Sequence, residues 1–298
     1  MMEIKTAFLL SYDYEMLKRS LPLVYDASDT IVLSTDINRR TYTGNYFEIP
    51  ESFFEWVRSI DVKGKIRIYE DDFYVPNVRP MVGEVRQRNM TAAFMGPGGW
   101  HVQIDADEYF ISFNAFVAQL RRFEKKLGPG EKVTVHGNWI SLFKQIPAKG
   151  YLVALCRHEY EVFWPATNHP KYTIGRISKG NRELFADNFV IHETLARGAA
   201  DLEFKLNNWS HSADFDKEAY MHKYRAIDET NFKDQRNVHW RNPEIWERLV
   251  LVESNDIGGV LRYVEERLES RIRPWKTWLR NQRGGGRLLR AMRYLDWD

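Results

Sequence analysis

Three carboxylates lie within four positions near the middle of the chain, after a strand-like stretch that begins at Trp100: Asp105, Asp107 and Glu108. Because like charges a few ångströms apart disfavour each other's ionised forms, such a cluster favours a bound cation. Asp105 and Asp107 are two positions apart, so a strand that continued through them would point both to one side. Carboxylate oxygens suit Mg²⁺ or Mn²⁺, which complete their shells with water and phosphate oxygens. The cluster therefore predicts a divalent-cation site, although an isolated pair of this kind is more typical of a strand end that faces water.

Acidic residues also follow three short apolar segments earlier in the chain. Strands are predicted over residues 7–10, 30–33 and 66–69, which precede Asp13, Asp36 and Asp71. Helices are predicted between and after them, over 14–23, 52–59 and 82–94. Buried strands that alternate with helices indicate βαβ units and an α/β fold with a mainly parallel sheet. Ligands bind beyond the carboxyl ends of such strands, so these acids and Asp105 predict a shared acidic cleft.

The second half of the chain mixes helices with longer strands. Apolar residues at helical spacing from Phe113 to Leu127 predict a helix that stops before Gly128. Strands over 132–143 and 151–164, joined by a short link at 147–150, predict an antiparallel hairpin added to the parallel core. A further strand is predicted over 189–193, and helices over 216–227, 243–252 and 257–269.

Composition narrows the classes of protein. The 298 residues include one cysteine, Cys156, so an intrachain disulfide is excluded, and its apolar neighbours predict a small buried residue. The formal net charge of +2 argues against nucleic-acid binding, which requires a basic surface. With neither a signal-peptide pattern nor an apolar run long enough to span a bilayer, we expect a cytoplasmic protein.

The C-terminal tail departs from this balance. Residues 271–298 hold eight basic and two acidic side chains, a net charge of +6, which leaves −4 for the rest of the chain. On a helix over 287–297, the leucines share one face and the arginines the other. Such a helix suits peripheral attachment to anionic lipid on the inner face of the plasma membrane. Docking of the helix on its own domain is an equal alternative.

Several segments together resemble nucleotide-sugar glycosyltransferases of the GT-A fold, most like bacterial family 2, over roughly the first 215 residues. They are Thr35–Asn45 after the second strand, Ile68–Tyr74 at the third strand end, Met81–Asn89 with an Arg-Asn pair, the Asp105-Ala106-Asp107-Glu108 strand, and the histidine-bearing segments 192–197 and 205–212. The resemblance implies a GT-A, Rossmann-like catalytic domain over 1–215. Its nucleotide-sugar half would cover about 1–112 and its acceptor half about 113–215, with a helical extension over 216–298.

The resemblance also assigns roles to individual residues. Asp107 would bind the metal directly, and Asp105 would contact ribose or a metal-bound water. His192 is the first choice for a further protein ligand and His211 the second, and imidazole favours Mn²⁺ over Mg²⁺. The donor, a UDP- or GDP-sugar, would contact the following residues: Ser11, Asp36, Asp71, Arg86, Arg88 and Asn89.

The catalytic base is less well defined than the donor site. An inverting transfer needs a carboxylate that deprotonates the acceptor hydroxyl, and the candidates are Glu193, Glu161, Asp187 and Glu159. Glu193 is placed first because it adjoins His192. The aromatic segment 160–172 is expected either to stack on an acceptor sugar or to belong to the core.

These features predict a metal-dependent, inverting glycosyltransferase that acts on a glycan or lipid-linked acceptor in surface polysaccharide assembly. A sugar nucleotidyltransferase is one alternative, but residues 11–15 lack the glycines of its phosphate loop. A non-catalytic nucleotide- or glycan-binding module that its basic tail recruits to a membrane is another.

Overall fold

The computed structural model describes residues 1–156, 161–268 and 274–282. The strands are β1 (Ile4–Leu9), β2 (Thr30–Asp36), β3 (Ile66–Asp71), β4 (Trp100–Asp105), β5 (Glu108–Phe110), β6 (Val133–Ile146), β7 (Gly150–Cys156), β8 (Glu161–Thr167), β9 (Tyr172–Ile174), β10 (Ile177–Ser178), β11 (Arg182–His192) and β12 (Trp246–Val252). The helices are α1 (Tyr14–Tyr25), α2 (Glu51–Ile60), α3 (Pro80–Met95), α4 (Phe113–Glu124), α5 (Ala199–Asn208), α6 (Lys217–Ala226), α7 (Ile257–Leu268) and α8 (Pro274–Arg280).

The first half of the chain forms a parallel sheet in the order β4-β1-β2-β3. Side chains alternate between its two faces. Phe8 and Leu33 pack with α1, α2 and α4 on one face, whereas Ala7 and Val32 pack with Met95 of α3 on the other. The molecule therefore has helices on both sides of the sheet, and the predicted α/β, Rossmann-like class is confirmed.

Strand register sets the carboxyl edge of this sheet. Leu9 at the end of β1 lies opposite Asp105 of β4, and Asp36 of β2 lies opposite Asp71 of β3. The acids at these strand ends are thus brought to one edge. The predicted strand through Asp107 is wrong in detail, because β4 ends at Asp105 and Asp107 lies in the turn before β5.

The second half of the sheet is mostly antiparallel. β6 and β7 form the predicted hairpin, and β8 then inserts between β6 and β4, so that ten strands make one mixed sheet within the described residues. Within the described residues, the strand predicted over 151–164 corresponds to β7, up to Cys156, and β8, from Glu161, and both pair antiparallel with β6.

The largest correction lies after residue 216. The helix predicted over 243–252 is a short 3₁₀ turn (Pro243–Ile245) followed by β12, which pairs antiparallel with β7. Trp246, Leu249 and Val252 are buried on this strand, so pairing and burial outweigh the helical pattern. The C-terminal region is therefore not only helical, and the division of the chain at residue 215 stays a prediction. The basic helix predicted over 287–297 lies outside the described residues.

The longest helix in the described part of the chain is α3, with 16 residues. Within the described residues, none of the helices is long and apolar enough to cross a membrane.

Candidate functional site

A cavity of about 1210 Å³ opens at the carboxyl edge of β1, β2 and β4. The strand ends form one part of its wall, together with α3, the loop after β2 and the β9–β10 turn. β6, β8 and the segments 205–211 and 236–247 form another part. Nine of the individual residues predicted from sequence line it: Ser11, Asp13, Asp36, Arg88, Asp105, Asp107, Glu161, His192 and His211. The topology therefore brings together residues from both halves of the chain.

Three predicted donor contacts lie outside this lining. The carboxylate of Asp71 accepts a hydrogen bond from the Tyr69 hydroxyl at 2.7 Å on the edge strand β3. Arg86 donates to the carbonyl of Asp72. Asn89 pairs through its amide with both backbone groups of Tyr172, at 3.0 Å each, so it fastens β9 to α3. We therefore assign these side chains to positioning loops and strands.

Two predicted catalytic carboxylates also lie outside the cavity. Glu193 is buried and accepts hydrogen bonds from Arg19 and from the Tyr109 hydroxyl, both at 2.6 Å. Asp187 accepts from the Thr277 hydroxyl of α8 at 2.5 Å. Burial raises the pKa of both carboxyl groups. Neither side chain lines the cavity, so a catalytic role for either stays a prediction, and Glu159 lies outside the described residues.

Asp105 is held by two arginines. One carboxylate oxygen accepts from Arg88 at 2.8 Å, and the other accepts from Arg176 at 2.9 Å. Burial alone would raise the pKa of Asp105, but the two guanidinium groups lower it to about 2. Arg176 reaches this carboxylate from the turn between β9 and β10, where it also binds Glu108. Arg88 donates to Glu84, Gln103 and Asp105, so it positions Asp105, and its predicted phosphate contact stays a prediction.

Asp107 is also neutralised by two cations. Its Oδ2 atom accepts hydrogen bonds from Arg197 and from Lys205, both at 2.6 Å. Its Oδ1 atom lies 3.8 Å from His192 Nε2. Burial would raise the pKa of this carboxyl, but Lys205, His192 and Arg197 hold it well below its usual range. The carboxylate is therefore ionised and fully compensated by protein side chains.

Asp36 holds two loops together at the mouth of the cavity. One of its oxygens accepts from the backbone N–H groups of Asn38 and Arg40, and the other accepts from those of Phe73 and Tyr74, at 2.9 to 3.1 Å. A carboxylate offers about four acceptor positions, so all of them are used. We therefore expect Asp36 to position the loops after β2 and β3, although sequence alone indicated a base or ribose contact.

The two histidines have different environments. Burial lowers the pKa of His192 to about 4, so its ring is neutral at pH 7, and it packs against Trp139 with ring centroids 4.6 Å apart. His211 instead pairs through Nδ1 with Asp214 at 2.8 Å and packs against Trp240. The two rings are thus engaged with different partners.

A divalent ion at this site would need ligands from His, Cys, Asp or Glu side chains. Within the described part of the chain, no group of three or more His, Cys, Asp or Glu side chains is arranged to hold a metal. The carboxylates of Asp105 and Asp107 are each bound by two cationic side chains. A divalent ion would have to displace these cations, so the arrangement does not fit one. The predicted Mn²⁺ or Mg²⁺ requirement stays a prediction.

Glu161 lies at the start of β8 and faces the same cavity. Its carboxylate accepts from the Ser141 hydroxyl and from the indole N–H of Trp246, both at 2.9 Å. His239 lies 3.7 Å away, and its Nδ1 accepts two backbone N–H groups, so its Nε2 carries the proton that points to Glu161. Burial alone would raise the pKa of Glu161, but His239 and Trp246 lower it. Glu161 is therefore an ionised carboxylate in the cavity.

An aromatic wall adjoins Glu161. We give this name to Trp164, Trp209, His211, Trp240 and Trp246, which all line the cavity. Trp240 is in contact with His211 and Trp209 at centroid distances of 4.7 and 5.0 Å. Flat aromatic side chains with hydrogen-bonding edges suit ligands that have both apolar and polar faces.

Sequence reasoning missed the cations of the site. Arg176, Arg197 and Lys205 were given no role, although Arg197 and Lys205 lie in the segments 192–197 and 205–212 that were selected for their histidines. The available signal was the cluster of acids itself, which requires compensating charge. The cavity-lining segment 236–247 was given no functional role, and its end was predicted as part of a helix.

Comparison with known proteins adds little to this geometry. No protein-family model and no curated protein sequence matches the chain. Among solved structures, the fold is similar to the crystal structure of S. aureus TarS 1-349, with a TM-score of 0.30 and 10% sequence identity. That alignment covers 46% of this chain and 36% of the TarS chain. A likeness at this level assigns neither a family nor an activity.

Proposed function

We propose that the protein is a glycosyltransferase that moves a sugar from a nucleoside-diphosphate donor to a hydroxyl of a glycan. One observation carries the proposal: a single cavity at the carboxyl edge of the parallel strands is lined by a cationic side chain, an ionised carboxylate and the aromatic wall. These are the groups that binding a diphosphate, removing a proton and stacking on a sugar ring require.

The donor is assigned to the strand-end side of the cavity. Ser11 follows β1, and Asp36 fixes the loop after β2. Lys205 reaches the same region from α5, and its ammonium group is bound to Asp107 at 2.6 Å. A lysine is a compact point charge that is well suited to phosphate oxygens. This grouping supports a donor with a diphosphate, such as a UDP- or GDP-sugar.

The acceptor is assigned to the aromatic wall, with Glu161 as the catalytic base. In the transfer, the acceptor oxygen forms a bond to the anomeric carbon while the bond from that carbon to the diphosphate oxygen breaks. The acceptor proton passes to the carboxylate of Glu161, and the electron pair of the broken bond leaves on the nucleoside diphosphate. Attack from the face opposite the leaving group inverts the anomeric carbon, which is the outcome expected for a single carboxylate base.

The test is a donor screen followed by a base variant. Thermal shifts with UDP- and GDP-sugars identify the donor, because ligand binding to the folded state raises stability. Mass spectrometry of acceptor glycans then measures transfer. We expect Glu161→Gln to lose transfer by about 10²–10⁴-fold, the usual contribution of a general base, while it keeps donor affinity. Glu193→Gln, whose carboxylate lies outside the cavity, should retain transfer.

Other outcomes separate the alternatives. Donor binding without any transfer favours the non-catalytic binding module. Formation of a nucleotide sugar from a nucleoside triphosphate and a sugar phosphate favours the nucleotidyltransferase. Equal transfer by Glu161→Gln and the wild-type chain contradicts the assigned base. The surface-polysaccharide acceptor, the cytoplasmic location and the membrane contact of the tail stay predictions.

A further inference from the structure

Cationic side chains of the protein neutralise both aspartates of the Asp105-Ala106-Asp107 segment. Asp105 binds Arg88 and Arg176, and Asp107 binds Arg197 and Lys205, at 2.6 to 2.9 Å. The Asp107 side chain is 3% exposed and that of Arg197 is 0% exposed. A divalent ion that bound these carboxylates would have to displace the cations from short contacts in a buried setting. The site is therefore arranged to work with cations of the chain itself.

Lys205 differs from Arg197, the other cation bound to Asp107, in what it can still bind. The Arg197 side chain is fully buried and is also paired with Asp13 and Asp201, at 3.5 and 3.7 Å, whereas Lys205 forms part of the cavity lining. An ammonium group has three N–H donors. The structure accounts for one of them, to Asp107, and the ring of Trp209 lies 5.5 Å from the nitrogen. Two donors are therefore left for a ligand in the cavity.

We propose that Lys205, fixed by Asp107 and with Arg197 behind it, takes the place of a divalent ion and holds the diphosphate of the nucleotide. The inference rests on the proposed function, since it names the group that neutralises the leaving diphosphate. Preorganised charge of this kind is effective because it needs no rearrangement when the leaving group gains its charge. Asp107 then acts as a positioning residue, which keeps the ammonium group in one place.

The experiment measures binding of UDP and GDP to the full chain by calorimetry, once with EDTA and once with Mn²⁺. We expect the better nucleotide to bind with the same Kd, within about threefold, in both conditions. Lys205→Met, which keeps the length of the side chain, should weaken binding by about 10–100-fold in both, the usual effect of losing a charge-assisted hydrogen bond. Lys144→Met is the matched control, because Lys144 donates to the backbone carbonyls of Tyr224 and Ile227 outside the cavity.

Each other outcome is decisive. Binding that appears only with Mn²⁺ overturns the inference and leaves the proposed function standing, and this comparison needs only the wild-type chain. Equal affinity of Lys205→Met and wild type also overturns it. If neither nucleotide binds in either condition, the proposed function itself fails. Electron paramagnetic resonance of Mn²⁺ mixed with the protein alone gives a separate measurement. If the site is independent of metal, the protein should leave the signal of the free ion unchanged.

Discussion

Asp36 provides the sharpest test of whether a strand-end carboxylate binds a ligand or builds the site. The change is Asp36→Asn, which keeps the shape of the side chain and replaces one oxygen by an amide N–H₂ group. In the protein, both oxygens accept two backbone N–H groups each. The variant therefore loses two hydrogen bonds and directs new donors at two existing donors.

The size of the effect follows from this count. A hydrogen bond to a charged group contributes about 1.5–3 kcal/mol, so two of them correspond to a loss of about 3–6 kcal/mol in the free energy of unfolding. Domains are usually stable by only about 5–15 kcal/mol. We therefore expect the midpoint of urea unfolding, followed by tryptophan fluorescence, to fall steeply for Asp36→Asn.

Asp71→Asn is the matched control on the neighbouring strand. Its carboxylate accepts one backbone N–H, from Asp72, and the hydroxyl of Tyr69. An asparagine amide can satisfy both groups, so we expect a loss of about 1 kcal/mol or less. If the free energy of unfolding of Asp36→Asn lies within about 1 kcal/mol of that of wild type but the variant loses nucleotide affinity, the positioning role is refuted. Asp36 would then contact the nucleotide.

Three further predictions test other parts of the molecule. First, burial lowers the pKa of His136 to about 4 from 6.5, so an unfolded chain takes up a proton at pH 5 that the folded chain excludes, and stability falls as the pH drops through this range. The change that His136→Phe makes in the free energy of unfolding, measured with urea, should therefore be more favourable at pH 5 than at pH 7.5 by about 2 kcal/mol. An equal change at both pH values would contradict the assigned pKa. Second, burial raises the pKa of Cys156 to about 12, so iodoacetamide should modify it at pH 8 at least about 100-fold more slowly than a free thiol. Third, the full chain should sediment with anionic vesicles and a chain ending at Gln282 should not. That end point retains α8, whose Thr277 binds Asp187, and equal sedimentation would rule out the tail as the membrane contact.

The parallel half of the fold was predictable because its signals are local. Each of β1 and β2 is a short apolar run that is buried along most of its length, and the helices that follow are close to their predicted bounds. Once strands and helices alternate, the handedness and order of the connections leave few arrangements. The carboxyl edge, and with it the place of the cavity, follows from that alternation.

The antiparallel half was less predictable because its strands depend on partners that lie far along the chain. β12 is a strand because β7, about one hundred positions earlier, offers it a free edge, as the pairing of Val252 with Tyr151 shows. β-propensity depends on such context more than helix propensity does. The residues that β12 and the segment before it bring to the cavity, including Trp240 and Trp246, could therefore not be placed from sequence.

The charges of the site follow the same division between local and distant information. That Asp105 and Asp107 need cations follows from their spacing alone. The identity of those cations does not follow from the spacing, because Arg176, Arg197 and Lys205 lie 71, 90 and 98 positions away from the carboxylates they bind. From sequence, a metal ion was the simplest source of positive charge because it needs no cationic side chain elsewhere in the chain. The fold offers another, in which α5 and the β9–β10 turn deliver the positive charge. A site that carries its own cations can be formed before any ligand arrives, whereas one that depends on a metal is complete only when the ion is bound. The response of nucleotide binding to EDTA therefore distinguishes two ways of assembling the same cavity.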